Sequence, residues 1–129
     1  MLSPQTIAAV AVGGAFGAVS RLLVTQWLGL TMGRGFPWGT LAVNLVGSFL
    51  IGVLYGWWSH PAHQIPVVWR AGLVVGFLGA LTTMSSFSWD VFELIQKGQL
   101  WRASAYVTVT VAGAFVCTAI GAVTTMRYL

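Results

Sequence analysis

Five of the ten residues from Gly79 to Ser88 carry a hydroxyl, in the middle of an otherwise apolar segment that opens on glycine. Ser and Thr side chains bond local backbone groups and so offer the chain an alternative to helix. Glycine lowers helix propensity by about 1 kcal/mol relative to alanine. The stretch therefore predicts a break in the helix. Two further polar series accompany it. Thr40, Asn44 and Ser48 recur at i, i+4 and i+8, and Tyr106, Thr110, Ala114 and Thr118 at successive steps of four. Each series falls on one face of a helix. The chemistry on offer is neutral hydrogen bonding by amide and hydroxyl donors. Such donors either join one helix to its neighbour or line a polar path, and a mid-membrane Asn44 amide needs a partner in either case. The span-four hydroxyls can also bond back to their own helix carbonyls.

Other reactive side chains support no catalytic site. Asp90 and Glu93 are the only acids and stand three residues apart near a segment end, without a nucleophile or a metal-binding cluster. His60 and His63 lack the further ligands a zinc site needs and read as solvated loop residues. The lone Cys117 lies in an apolar stretch, so neither disulfide nor zinc binding is implied. An enzyme is not expected.

The elements that must position the polar residues are membrane spans. The chain has 129 residues, of which 57% are hydrophobic and 6% charged. That leaves no soluble domain. Trp38 to Ser59, Ala71 to Trp89 and Ala103 to Met126 are free of charge, and Ile7 to Leu30 is interrupted only by Arg21. A helix needs about 20 apolar residues to cross a bilayer. Four spans follow, at about residues 6–28, 39–58, 67–95 and 103–126, the third broken. Trp27, Trp38, Trp57, Trp58, Trp69 and Trp101 fall near span ends, as an interfacial belt would place them. No Lys or Arg precedes the first apolar run, so a cleaved signal peptide is not expected. The net charge of +4 comes from scattered residues and is no nucleic-acid signature. Small-residue pairs at Gly13/Gly17, Gly52/Gly56 and Gly72/Gly76 let helix backbones approach closely. Arg21, four residues past Gly17, either snorkels to the interface or serves as a structural or vestibule cation.

Loop charge is nearly balanced. Arg70 and Arg127 lie on the side of the termini, and Arg34, Lys97 and Arg102 on the other. Because Lys/Arg bias sets orientation, both orientations are expected in the membrane. Four short helices cannot enclose a pore and still pack, so a chain of this size that forms one must oligomerise. An antiparallel homodimer follows from dual topology.

Gly79-x-Leu81-Thr82-Thr83-x-Ser85-x-Phe87-Ser88, with Gly39-Thr40-Leu41-x-x-Asn44-Leu45 and four hydrophobic segments, resembles the Fluc (CrcB) family of small fluoride channels. The resemblance spans the whole chain. It implies a fluoride-selective channel in the bacterial inner membrane, built as an antiparallel dimer with two pores along its interface. On that footing the anion meets neutral donors: the Asn44 amide, the Ser85, Ser86, Thr110 and Thr118 hydroxyls, and the electropositive ring edge of Phe87. Thr40, Ser48 and Tyr106 complete the polar stripes. The resemblance further implies a structural sodium ion on the dimer axis, held by the Gly79 and Thr82 carbonyls, and favours Arg21 as a structural or vestibule cation. The sequence departs from the family pattern at Met84, where a second phenylalanine is usual, at Ala80 for glycine, and at Ala114 for a frequent serine. A four-span multidrug exporter is the rival reading. It needs a carboxylate in span one, and none is there.

Overall fold

A computed structural model describes residues 2–129. The described residues form helices joined by short connections. These are α1 (Pro4–Met32), α2 (Trp38–Trp58), α3 (Val67–Ala71), a π-helical stretch (Gly72–Leu78), α4 (Gly79–Leu81), α5 (Met84–Gln96) and α6 (Leu100–Arg127), with a 3-10 turn at Pro61–His63. Four stretches are long and apolar enough to cross a membrane: Pro4–Met32, Trp38–Trp58, Val67–Gln96 and Leu100–Arg127. The chain is thus an all-α, multi-pass membrane protein. The first and last spans run past their expected limits, while the second and third lie within one residue of theirs. Ser3 caps α1 by accepting from the Thr6 amide at 3.1 Å. At about 1.5 Å per residue, the 29 residues of α1 exceed the roughly 30 Å hydrocarbon core.

The helices assemble through their glycines. A Cβ on Gly13 or Gly17 would run into the backbone of Gly72 or Phe77. One on Gly52 or Gly121 would strike the carbonyls of Thr118 or Phe49. So α1 lies backbone-to-backbone on the π-helical stretch, and α2 on α6. In a bilayer, where lipid tails are as apolar as leucine, such close contact is what holds helices together. Gly13/Gly17, Gly52/Gly56 and Gly72/Gly76 all fall at these crossings. Two small cores form beside them: Leu41, Phe87, Leu94, Ala103 and Tyr106 between α2, α5 and α6, and Val43, Leu78 and Leu81 on the α1 side.

The third span is broken, more narrowly than the sequence suggests. Gly79, Ala80 and Leu81 remain helical, and only Thr82 (φ −84°, ψ 156°) and Thr83 (φ −153°, ψ 112°) are extended. The Thr82 amide still reaches the Leu78 carbonyl at 3.0 Å. The helix fails one residue later, where a side chain from α2 captures the next amide. The widened π-helical turns just before the break have no counterpart in the sequence reading.

Candidate functional site

The capturing side chain is Asn44. Its Oδ1 accepts from the Thr83 amide at 2.8 Å, and its Nδ2 donates to the Thr83 carbonyl at 3.2 Å. One amide thus satisfies both backbone groups of the extended residue, which buried in a membrane would otherwise cost several kcal/mol each. Asn44 retains one free N–H. Thr83 then caps α5: its Oγ1 accepts from the Ser86 amide at 3.2 Å and donates to Ser86 Oγ at 3.0 Å, with Ser85 Oγ at 3.3 Å. The Ser85 and Ser86 hydroxyls are therefore gathered into the cap of the helix after the break.

Both diversions release carbonyls. The Thr83 amide, which helical continuation would bring to Gly79, is on Asn44. The Ser86 amide, which would close on Thr82, is on Thr83 Oγ1. Neither the Gly79 nor the Thr82 carbonyl keeps its i+4 partner. Gly79 is exposed and Thr82 half-buried, on the open side of the chain.

That side carries a groove of about 480 Å³. Asn44 and Ser48 of α2, Gly79, Thr82 and Thr83 of the break, Met84 and Phe87 of α5, and Thr110 and Ala114 of α6 all line it, and no charged residue does. Thr110 is 7% exposed, and its Oγ1 is a buried polar atom without a hydrogen-bond partner. Burying an unpaired hydroxyl costs about 1–3 kcal/mol. Met84, at 72% exposed, projects from the groove's open edge.

Phe87 forms the inner wall. Its ring meets that of Tyr106 at 5.1 Å between centroids and 68° between planes. Tyr106 is fully buried and donates its hydroxyl to Asp90 Oδ2 at 2.9 Å. Asp90 and the buried Thr40 line a second cavity, of about 260 Å³, which opens beside Arg34, Glu93 and Lys97. Phe87 and Tyr106 stand between the two spaces. Glu93 and Lys97 pair at 3.0 Å on the helix surface.

The polar residues singled out from sequence thus divide. Asn44, Ser48, Met84, Phe87, Thr110, Gly79 and Thr82 share the groove. Thr40 and Tyr106 belong with Asp90 behind Phe87. Thr118 donates to the Ser48 carbonyl at 2.9 Å, so its proton joins α6 to α2. Arg21 is half-buried on α1, one turn past the Gly17 crossing, and its guanidinium makes no hydrogen bond or ion pair among the described residues. Two participants were missed, Thr83 as the braced and capping residue and Asp90 as the partner of Tyr106. The i, i+3 spacing of Phe87 and Asp90 puts them on one face of α5 and could have flagged the second.

Thr110 permits a test that separates the two readings by flux at equal stability. Thr110→Val removes an unpartnered buried hydroxyl and keeps the shape. A purely structural role predicts unchanged or raised thermal stability with function intact. A donor to a passing anion predicts the same stability with flux reduced about tenfold, the loss of one hydrogen bond to a charged group at about 1.5 kcal/mol. Melting and efflux of the same preparation distinguish them.

The sequence matches, over residues 8–122, the family model described as CrcB-like protein, Camphor Resistance (CrcB). It is similar to curated proteins named fluoride-specific ion channel FluC. The one from Geobacter metallireducens is 44% identical over 124 residues, covering 96% of this chain and 98% of the relative. That from Hahella chejuensis is 49% identical over 102 residues, covering 79% and 80%. One from Pseudomonas putida is 49% identical over 112 residues, covering 87% and 90%.

Proposed function

The chain belongs to the CrcB family, and from that premise we propose that it is a fluoride channel, not an enzyme, which lets fluoride leave the cell down its electrochemical gradient. The observation that carries this reading is the Thr110 hydroxyl, buried without a partner on the wall of a charge-free groove. A small hard anion stripped of water needs hydrogen-bond donors but must also be released, so weak neutral sites suit it better than a fixed lysine. Thr110, the free N–H of Asn44 and the edge of Phe87 supply such sites. Thr118 ties α6 to α2 through the Ser48 carbonyl, and Ser85 and Ser86 hold the cap of α5 beside the groove. From Phe87 the path continues past Tyr106 and Thr40 to the cavity at Arg34 and Lys97. Arg21 lines neither cavity and serves as a structural or vestibule cation.

The groove is open along one side, and a second copy in antiparallel orientation would close it. Two copies would give two pores. They would also bring together the released Gly79 and Thr82 carbonyls of each chain. These are hard neutral oxygens, the donor type that sodium takes, and an ion held there would offset repulsion between anions in neighbouring pores. The setting is the bacterial inner membrane.

Dual topology has a direct test. Lys97→Cys sits in an exposed turn and breaks only a surface ion pair, which is worth less than about 1 kcal/mol. The cysteine should react with an impermeant maleimide from both faces of the membrane. Reaction from one face alone would exclude the antiparallel dimer. The transported species is tested by reconstitution in liposomes loaded with fluoride, chloride or a cationic drug. Fluoride alone should leave rapidly. Drug efflux would instead support an exporter.

A further inference from the structure

Nearer the starts of α2 and α6 than the fluoride groove, a second groove of about 460 Å³ runs beside α2, α6 and the connection that follows α1. Trp101 and Arg102 line it at the start of α6, Leu41, Ala105 and Val109 further in, and Gly35 and Phe36 of the connection complete it. Arg102 begins the last span, so the mouth lies at the level of the lipid headgroups. Val109 is seven residues further along α6, about 10 Å deeper at 1.5 Å per residue. That is roughly two thirds of one leaflet of a 30 Å core. The lower walls are apolar, and the one charge stands at the top.

Arg102 is short of partners. Its Nη1 donates to the Gly35 carbonyl at 3.4 Å, a long contact, and its guanidinium lies 5.7 Å from the Trp101 ring. It has five N–H donors. Glu93 pairs with Lys97, and Asp90 is engaged by Tyr106, so no carboxylate of the chain serves it. An antiparallel second copy would bring Arg70 and Arg127 to this level and no acidic side chain. The occupant must be anionic at the top and apolar below.

We propose that this groove binds one phospholipid with an anionic headgroup, the phosphate on Arg102 and an acyl chain laid between α2 and α6 down to Val109. Trp38 and Trp101 flank the headgroup as interfacial aromatic residues do. The site is independent of which ion crosses the fluoride groove.

The test uses full-length protein reconstituted in vesicles of equal phosphatidylethanolamine and phosphatidylglycerol, then counted for retained lipid by native mass spectrometry. Wild type should retain phosphatidylglycerol over phosphatidylethanolamine. Arg102→Gln should lower phosphatidylglycerol retention about fivefold, the worth of one cation near an anionic surface. Ala105→Leu fills the groove without touching the charge and should lower it comparably. Arg127→Gln, at the other end of α6, should leave it unchanged. Equal retention of the two lipids by wild type would overturn the proposal. So would wild-type retention in either Arg102→Gln or Ala105→Leu, or a drop in Arg127→Gln matching that in Arg102→Gln. The wild-type comparison needs no variant, so misfolding of a mutant cannot mask the answer, and the oligomer mass in each spectrum shows whether the variant has kept its assembly.

Discussion

Asn44→Asp should stop fluoride flux. The new carboxylate can still accept from the Thr83 amide, but where Nδ2 donated to the Thr83 carbonyl at 3.2 Å it now sets oxygen against oxygen. Leaving that carbonyl unpaired costs about 1–3 kcal/mol. A carboxylate beside the path also repels the passing anion, by about 4 kcal/mol at 4 Å and an effective dielectric of 20. Together these predict a loss of at least 100-fold. They also predict a loosened break, readable as faster hydrogen exchange at the Thr83 amide. Asn44→Ala separates the two effects. It removes the brace without adding charge, so exchange at Thr83 should rise while the flux loss is smaller than for Asp. Unchanged flux in Asn44→Asp would reduce Asn44 to a join between helices.

Phe87→Ile should abolish flux as well, for a different reason. Phe87 stands between the groove and the Tyr106–Asp90 pair. Isoleucine keeps bulk in that position but has no electropositive ring edge. The change also touches a packed core of Leu41, Leu94, Ala103 and Tyr106, with an expected stability cost of about 1–3 kcal/mol. A melting curve showing the folded protein at assay temperature is therefore part of the experiment. Met84→Phe is the complementary change. Met84 is exposed within its own chain, so a ring there meets no overpacking inside the protomer and should maintain or raise fluoride efflux. Normal conduction by Phe87→Ile would remove the ring edge from the account.

The spans, the break and the glycine crossings were legible in the sequence because each depends on local features: runs of apolar residues, clustered hydroxyls, and small residues four apart. The partners of the polar groups were not. Asn44 and Thr83 are 39 residues apart, and nothing in either neighbourhood says that one amide will satisfy both backbone groups of the other. The same holds for Thr118 and the Ser48 carbonyl, 70 residues apart. Helical spacing put Thr110 and Thr118 on one face correctly, yet one hydroxyl is spent on a neighbouring helix and the other is left without a partner. Asp90 looked like a membrane-edge acid because its partner, Tyr106, lies on the next span. The π-helical turns leave no mark in the sequence beyond glycines that also serve packing, and the narrowing of the break to Thr82 and Thr83 depends on where Asn44 reaches it.

The central claim is passive, fluoride-selective conduction, and a reversal potential tests it most directly. A planar bilayer containing the protein, with a tenfold fluoride gradient across it and equal chloride on both sides, should give a current that reverses near 59 mV in magnitude, the value for a tenfold gradient of a monovalent ion. A pH gradient imposed across the same bilayer should not move it. Reversal near zero, or at a potential that shifts with the proton gradient, would contradict a fluoride channel and point to unselective leak or to proton-coupled transport.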